Sequence, residues 1–159
     1  MKTSSKILNK EQLNEILPQW KKEGKVVFTN GCFDILHLGH VDYLEKARNL
    51  GQKLIVGLNT DQSVQRLKGP ARPICDESSR ARVMASLEFV DAVILFDEET
   101  PLELISALKP DILVKGNDYT IENIVGADVV IKNGGSVETV PLVNGYSTTN
   151  VIEKIKKLT

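Results

Sequence analysis

The chain has 159 residues, a hydrophobic share of 42%, a charged share of 26% and a formal net charge of -1 at pH 7. That length suits one domain with a core of its own, and a near-neutral balance supplies no global basic field to draw in nucleic acid. Two cysteines, Cys32 and Cys75, lack metal-site spacing and are too few for a disulfide scaffold. No apolar run is long enough to cross a bilayer and no charged-then-apolar leader opens the chain. The expectation is a reduced, cytoplasmic protein without membrane or nucleic-acid partners.

Leu13, Ile16, Leu17 and Trp20 recur at helical spacing within residues 11–22, where Pro18 should kink or shorten the helix. KVVFTN (25–30) predicts a buried strand. HVDYLEKARNLG predicts a helix with Val41, Leu44, Ala47 and Leu50 on one face and Gly51 as its stop. KLIVGLN (53–59) predicts a second strand, after which Thr60 or Asp61 caps a short helix ending near Lys68. Asp76 caps a helix to about Phe89, and AVILF is a third strand. TPLELISAL predicts a helix with Thr100 as cap, Pro101 at its first position and Glu103 closing a capping box. DILVKG is a fourth strand, a weaker helix over 120–132 contains Gly126, SVETVPL is a fifth strand, and STTNVIEKIKKL a terminal helix.

Strands that are apolar throughout, alternating with helices, predict an α/β fold. The expected form is a doubly wound, Rossmann-like parallel sheet of about five strands with helices on both faces. No repeat or linker divides the chain, so residues 1–159 are expected as one domain, with a helical segment (1–24) packed on it. Ligands in such sheets bind beyond the carboxyl ends of the strands, which singles out the loops after Asn30, Asn59, Gly116 and Leu142.

Both histidines of the chain, His37 and His40, fall in VFTNGCFDILHLGH, directly after the first strand. Capping or packing beside the helix is one role open to them. Gly39 between them lets a phosphate come close to a helix start whose backbone N–H groups are unsatisfied. Two imidazoles there can donate hydrogen bonds to phosphate oxygens as negative charge builds. A zinc ion is the rival ligand, with Asp34 nearby, but no third soft ligand follows at a sensible interval. Phosphate binding ranks first, metal second and packing last, and no metal held by protein side chains is expected.

GCFDILHLGH resembles the signature of the nucleotidyltransferase superfamily that includes the cytidylyltransferases, with Gly31, Phe33, Asp34 and both histidines in place. The resemblance implies that His37 and His40 contact the nucleotide phosphates and stabilise attack on the α-phosphorus. Lys68 and Arg72 in LKGPARP, alone a solvated basic turn, then read as a mobile clamp on the triphosphate, with Lys68 a third catalytic residue. Arg80 matches the arginine that follows this loop in the family. Ser147 and Thr148 open a helix after Tyr146, and the family uses the matching hydroxyls and helix start to bind phosphate. Gly116 and Asp118 in VKGNDY lie, by the same resemblance, beside base and ribose. Asn30, Gly31, Phe33, Gly39 and Tyr146 complete the implied nucleotide site. Asn59 and Lys115 are candidates for holding the second substrate, and Asp34 either joins them there or fixes a neighbouring loop.

Family members that handle glycerol 3-phosphate carry a tryptophan after the aspartate and an arginine ahead of the closing ST motif. Here those places hold Tyr119 and, in PLVNGYSTT, no arginine, which counts against cytidine recognition. The longer blocks VVFTNGCFDILHLGHVDYLEKAR, LIVGLNTDQSVQRLKGPARP, FDEETPLELISALKPDILVKGNDY, NGG and GYSTTNVI resemble the adenylyltransferase branch that makes ADP-heptose, nearly throughout Val26 to Ile155. That resemblance implies transfer of AMP from ATP to D-glycero-β-D-manno-heptose 1-phosphate for lipopolysaccharide core precursors, with Mg²⁺ accompanying ATP and a homodimeric enzyme. In many bacteria the activity is fused behind a sugar kinase, so a stand-alone form fed by a separate kinase is expected here. The alternatives are a CTP-dependent sister enzyme and a nucleotide sensor without turnover.

Overall fold

In a computed structural model that describes residues 2–158, five strands make one parallel sheet. They are β1 (Val26–Gly31), β2 (Lys53–Asn59), β3 (Ala92–Phe96), β4 (Ile112–Gly116) and β5 (Ser136–Val140), in the order β3-β2-β1-β4-β5. The helices are α1 (Lys10–Glu23), α2 (Leu38–Arg48), α3 (Asp61–Lys68), α4 (Glu77–Ser86), α5 (Leu102–Leu108), α6 (Ala127–Lys132) and α7 (Thr148–Lys156). This is the Rossmann-like architecture that the apolar strands predict.

Strand alternation sends side chains into two separate cores. On one face Val26 and Phe28 of β1, Ile55 of β2 and Leu113 of β4 pack against Leu13 and Leu17 of α1, Leu104 and Ile105 of α5 and Val130 of α6. On the other, Val27, Leu54, Val56 and Val114 meet Tyr43, Leu44 and Ala47 of α2 and Ala81 and Met84 of α4. β1 is central, with Val27 in register with Leu54 on one side and Ile112 on the other. The strand order reverses there, so the carboxyl end of β1 opens into a crevice. At the far edge, Ile7 forms a parallel bridge to Val93 of β3, and the Leu8 N–H donates to the Val93 carbonyl at 2.9 Å.

Several helix ends differ from the sequence expectation. α1 runs through Pro18 for 14 residues. A capping box between Asn9 and Gln12 fixes its start, and burial of Leu13 and Leu17 holds it against the loss of one backbone donor. α2 ends at Arg48, so Leu50 lies outside it and is exposed, and Tyr43 rather than Val41 joins the buried face. α4 stops at Ser86 because Leu87 turns extended. The expected capping box at Thr100 is absent: Pro101 occupies the cap of α5 and Glu103 falls one position too early to close it. The helix expected over 120–132 divides into a 3₁₀ turn (Ile121–Asn123) and α6. Gly126 separates them at φ 85°, in the left-handed region where a β-carbon is disfavoured, and one there would also stand 2.7 Å from Ile105.

Candidate active site

A cleft of about 590 Å³ lies along the carboxyl edges of β1, β2 and β4, closed by the start of α2, the end of α3 and the segment entering α7. Its floor begins where β1 ends. Phe33 is buried with φ 44°, a left-handed conformation that turns its ring beneath the following helix. Gly31 makes room for it, since a β-carbon there would stand 2.9 Å from the Phe33 ring. Phe33 in turn meets the His40 ring edge-on, with centroids 5.2 Å apart.

His37 occupies the cap position of α2 and makes no side-chain capping bond. Its ring stacks on that of His40, with centroids 3.7 Å apart and planes 23° from parallel. The Nδ1 atoms of both rings are buried without a hydrogen-bond partner. Burial pushes the His40 imidazole down to about 4, and the neighbouring His37 adds to the effect, while Asp34 and the Ile35 backbone oppose it. Burial also lowers His37. Both rings are therefore neutral near pH 7, as close stacking of two imidazoles requires. Gly39 lies under them: a β-carbon there would come within 3.0 Å of the His37 ring and 3.2 Å of Tyr146. The site thus combines a free helix start, two neutral imidazoles and a glycine that leaves the backbone open, which is the chemistry of a phosphate cradle.

Asp34 and Arg80 organise the wall on the β2 side. The buried Asp34 carboxylate accepts from Arg72 Nε at 2.8 Å, from the Ile74 N–H at 2.9 Å and from the Cys75 N–H at 2.8 Å. Burial alone would raise its pKa, but the bonds from Cys75, Ile74 and Arg72 together hold it below the usual carboxylate range. Of the two roles open to Asp34, these bonds correspond to the second, fixing the loop after α3. Arg80, expected at the nucleotide, does not line the cleft and is buried, at 1% relative exposure. Its guanidinium donates to the carbonyls of Cys75 (3.0 Å), Cys32 (2.7 Å) and Asn59 (2.8 Å) and pairs with Asp61 at 2.7 Å. Lys68, at the end of α3, is exposed beside the cleft and has no ion pair among the described residues.

Across the cleft, Lys115 and Gly116 end β4, Asp118 lies in the turn that follows, and Lys115 Nζ donates to Asn30 Oδ1 near the end of β1. Asn59, buried, donates to Ser63 Oγ at 2.9 Å. Ser147 caps α7 by accepting from the Asn150 N–H at 3.0 Å, with Thr148 beginning the helix and Tyr146 half exposed at the rim. Every sequence-nominated site residue except Arg80 lines this one cleft.

Tyr43 and Cys32 line it too, and the sequence reading passed over both. Tyr43 shares a 2.7 Å hydrogen bond with Thr29 and donates to the Val114 carbonyl at 3.1 Å, and burial pushes its phenol upward. Periodicity could have placed it on the buried face of α2, but not at the cleft. Cys32 sits inside the histidine motif itself. Burial raises its thiol despite opposing fields from Lys68, Arg80 and Arg72. Among the described residues, no group of three or more His, Cys, Asp or Glu side chains could hold a metal ion, so the zinc alternative has no ligand set there.

Residues 28–154 match the model of the cytidylyltransferase-like family. Bifunctional protein HldE of Trichlorobacter lovleyi is 60% identical over 154 residues, covering 96% of this chain and 31% of that protein. Bifunctional protein HldE of Syntrophotalea carbinolica is 58% identical over 152 residues, with coverages of 95% and 31%. The chain therefore spans about a third (31%) of the length of these curated relatives. Among solved structures, the lipopolysaccharide core biosynthesis protein from Thermoplasma volcanium is 35% identical with a TM-score of 0.60, over 78% of this chain and 99% of that one. Pantoate-beta-alanine ligase from Francisella tularensis, 17% identical with a TM-score of 0.61 over 95% and 78% of the two chains, shares the fold alone. With its histidine pair at the start of α2 and a family match over most of its length, this chain belongs to the cytidylyltransferase-like family of nucleotidyltransferases.

Proposed function

We propose that the protein transfers AMP from ATP to D-glycero-β-D-manno-heptose 1-phosphate, releasing pyrophosphate and forming ADP-heptose for lipopolysaccharide core synthesis. The observation that carries the reading is the stacked His37–His40 pair on a free helix start, flanked by Lys68 and Arg72 on one side and the α7 start on the other. The likeness to a lipopolysaccharide core biosynthesis protein supports the choice of pathway, and the choice of sugar rests on the resemblance of the longer sequence blocks. An oxygen of the sugar phosphate bonds to the α-phosphorus, the bond from that phosphorus to the bridging oxygen breaks, and pyrophosphate leaves with the electron pair. A phosphate monoester attacks as an anion, so no base is needed. Positioning and charge neutralisation carry the rate.

In this reading neutral His37 and His40 donate to the α-phosphate as charge grows on it, and Lys68 and Arg72 neutralise the departing pyrophosphate. The α7 start with Ser147 and Thr148 binds further phosphate oxygens. Gly116, Asp118 and Tyr146 border base and ribose. ATP enters as its magnesium complex. A cleft whose lining carboxylates are Asp34, already engaged by Arg72 and two backbone N–H groups, and Asp118 suits a cation held mainly by phosphate and water. The same reading makes the enzyme a cytoplasmic homodimer, checked by light scattering. The test is pyrophosphate release with ATP, Mg²⁺ and heptose 1-phosphate, against CTP with glycerol 3-phosphate. Faster turnover of the second pair refutes the assignment.

A further inference from the structure

β1 pairs with β2 along its whole length, from Val26–Lys53 to Gly31–Leu58, but with β4 only at Val27–Ile112 and Phe28–Leu113. Continuing that parallel ladder would bring the Asn30 N–H to the Val114 carbonyl. The strands separate instead toward the cleft, and a buried carbonyl released in this way needs another donor. Two side chains supply one. Val27 and Val114 face α2, and alternation puts Thr29 on that face as well. Thr29 Oγ1 lies 3.0 Å from the Val114 oxygen, the Tyr43 hydroxyl lies 3.1 Å from it, and the two hydroxyls are 2.7 Å apart. On the opposite face of the sheet Lys115 spans the same gap to Asn30.

Tyr43 ties α2 to this gap. Among the described residues it is the one member of α2 that hydrogen-bonds to a strand. Asp42 and Lys46 pair with each other, and Arg48, at the far end, binds Asp91 and Gly51. Tyr43 follows His40 by three residues, so the two share one side of the helix, and it is the first residue of α2 to be buried. Burial also raises its phenol, which therefore stays a neutral donor at any working pH.

Counting hydrogens separates the two hydroxyls. Three contacts share two hydrogens, so the Val114 oxygen needs only one of the two donors. Without the Tyr43 hydroxyl, Thr29 still donates to Val114. Without the Thr29 hydroxyl, Tyr43 still does. Only the first loss cuts the link to α2.

We propose that Tyr43 is a positioning residue: its hydroxyl, fixed on the Val114 carbonyl where β1 and β4 separate, holds the start of α2 so that the stacked His37 and His40 keep their place in the cleft. A preorganised donor displaced by about 1 Å can lose up to about 10²-fold in rate. The work assigned to the imidazoles rests on the adenylyltransferase reading, whereas the tie itself does not.

The experiment compares parent, Tyr43→Phe and Thr29→Val proteins. It measures turnover of ATP with heptose 1-phosphate, binding of a non-hydrolysable ATP analogue, and the NMR signals of the imidazole Cε1–H groups. The chain has two histidines, so both signals report on the stacked pair. We expect Tyr43→Phe to fold, to lower kcat by about tenfold or more while analogue affinity changes less than about twofold, and to shift both imidazole signals. Thr29→Val removes a hydroxyl from the same bridge, yet should keep kcat within about twofold and leave the signals in place. Parent kcat and unmoved signals in Tyr43→Phe overturn the proposal. Equal losses in both variants also overturn it, because the bridge then supports only the sheet. Weakened analogue binding with kcat unchanged makes Tyr43 a nucleotide contact and has the same effect. A Tyr43→Phe protein that does not fold overturns it too, since Thr29 alone should satisfy the carbonyl. If the parent does not turn over heptose 1-phosphate but the imidazole signals shift in Tyr43→Phe alone, the tie stands and the assigned reaction falls.

Discussion

Arg80→Ala separates two roles that a buried arginine beside a nucleotide cleft could have. In the structure the guanidinium satisfies three backbone carbonyls and one carboxylate, and its side chain is 0% exposed. Truncation strands the carbonyls of Cys32, Asn59 and Cys75, each costing about 1–3 kcal/mol if no water replaces the lost donor. Asp61, 31% exposed, recovers much of its solvation. Water entering the vacated space also softens the total, which we place at about 3–5 kcal/mol, the range for breaking a buried pair. That is a large part of the roughly 5–15 kcal/mol that holds a domain together. With a urea slope of about 2 kcal/mol/M, the unfolding midpoint should fall by about 1.5–2.5 M. Arg80→Lys retains charge and some bonding and should fall less. Equilibrium urea unfolding, followed by circular dichroism, gives the midpoints, and ATP-analogue binding is measured on the same samples. An Arg80→Ala protein with the parent midpoint and selectively weakened nucleotide binding would refute the clamp and return Arg80 to the nucleotide.

His40→Ala should lower kcat by about 10²–10³-fold, the usual loss for one preorganised donor, with ATP-analogue affinity changing far less; rapid-quench turnover beside equilibrium binding checks this. Because His40 is lowered to about 4 in the fold, the unfolded chain binds more protons between that value and 6.5. Stability should therefore fall as pH drops from about 6.5 toward 4 and be level above it, and His40→Gln should flatten urea midpoints across that window. Asp34, held low, contributes stability that is lost only at more acidic pH, as it becomes protonated. Gly39→Ala should displace the His37 ring, cutting kcat by about tenfold or more while the protein stays folded, read by turnover and circular dichroism. Lys68→Ala should raise the KM for ATP and its salt sensitivity while shifting stability by no more than about 0.5 kcal/mol, since the side chain is exposed.

The strands were the most legible part of the sequence. β2 and β3 coincide with KLIVGLN and AVILF because a strand buried on both faces must be apolar throughout. Helix limits were less legible, because tertiary burial decided them: packing of Leu13 and Leu17 carried α1 through Pro18, and Gly126 against Ile105 divided the helix expected before β5. At the site, the histidine motif pointed to the cleft by itself. The fate of Arg80 was not readable, nor was the choice between the two roles of Asp34, since carbonyls and amides of three separated segments complete their hydrogen bonds, and no local pattern encodes such a meeting. Lys115 was visible as a candidate, but its face of the sheet emerges only from the register of β1 against β4.

The short bridge from Ile7 to Val93 bears on solubility as well as packing. β3 is an outermost strand, its sequence AVILF is apolar at every position, and an uncovered edge of that kind offers a template for another chain. The Leu8 N–H occupies the Val93 carbonyl, and Lys6 ties the same margin down through the carbonyls of Leu87 and Val90. The residues ahead of α1 therefore act as a guard against edge-to-edge association. Trimming them, far from the cleft, would make the protein prone to aggregate while leaving its phosphate-handling groups untouched.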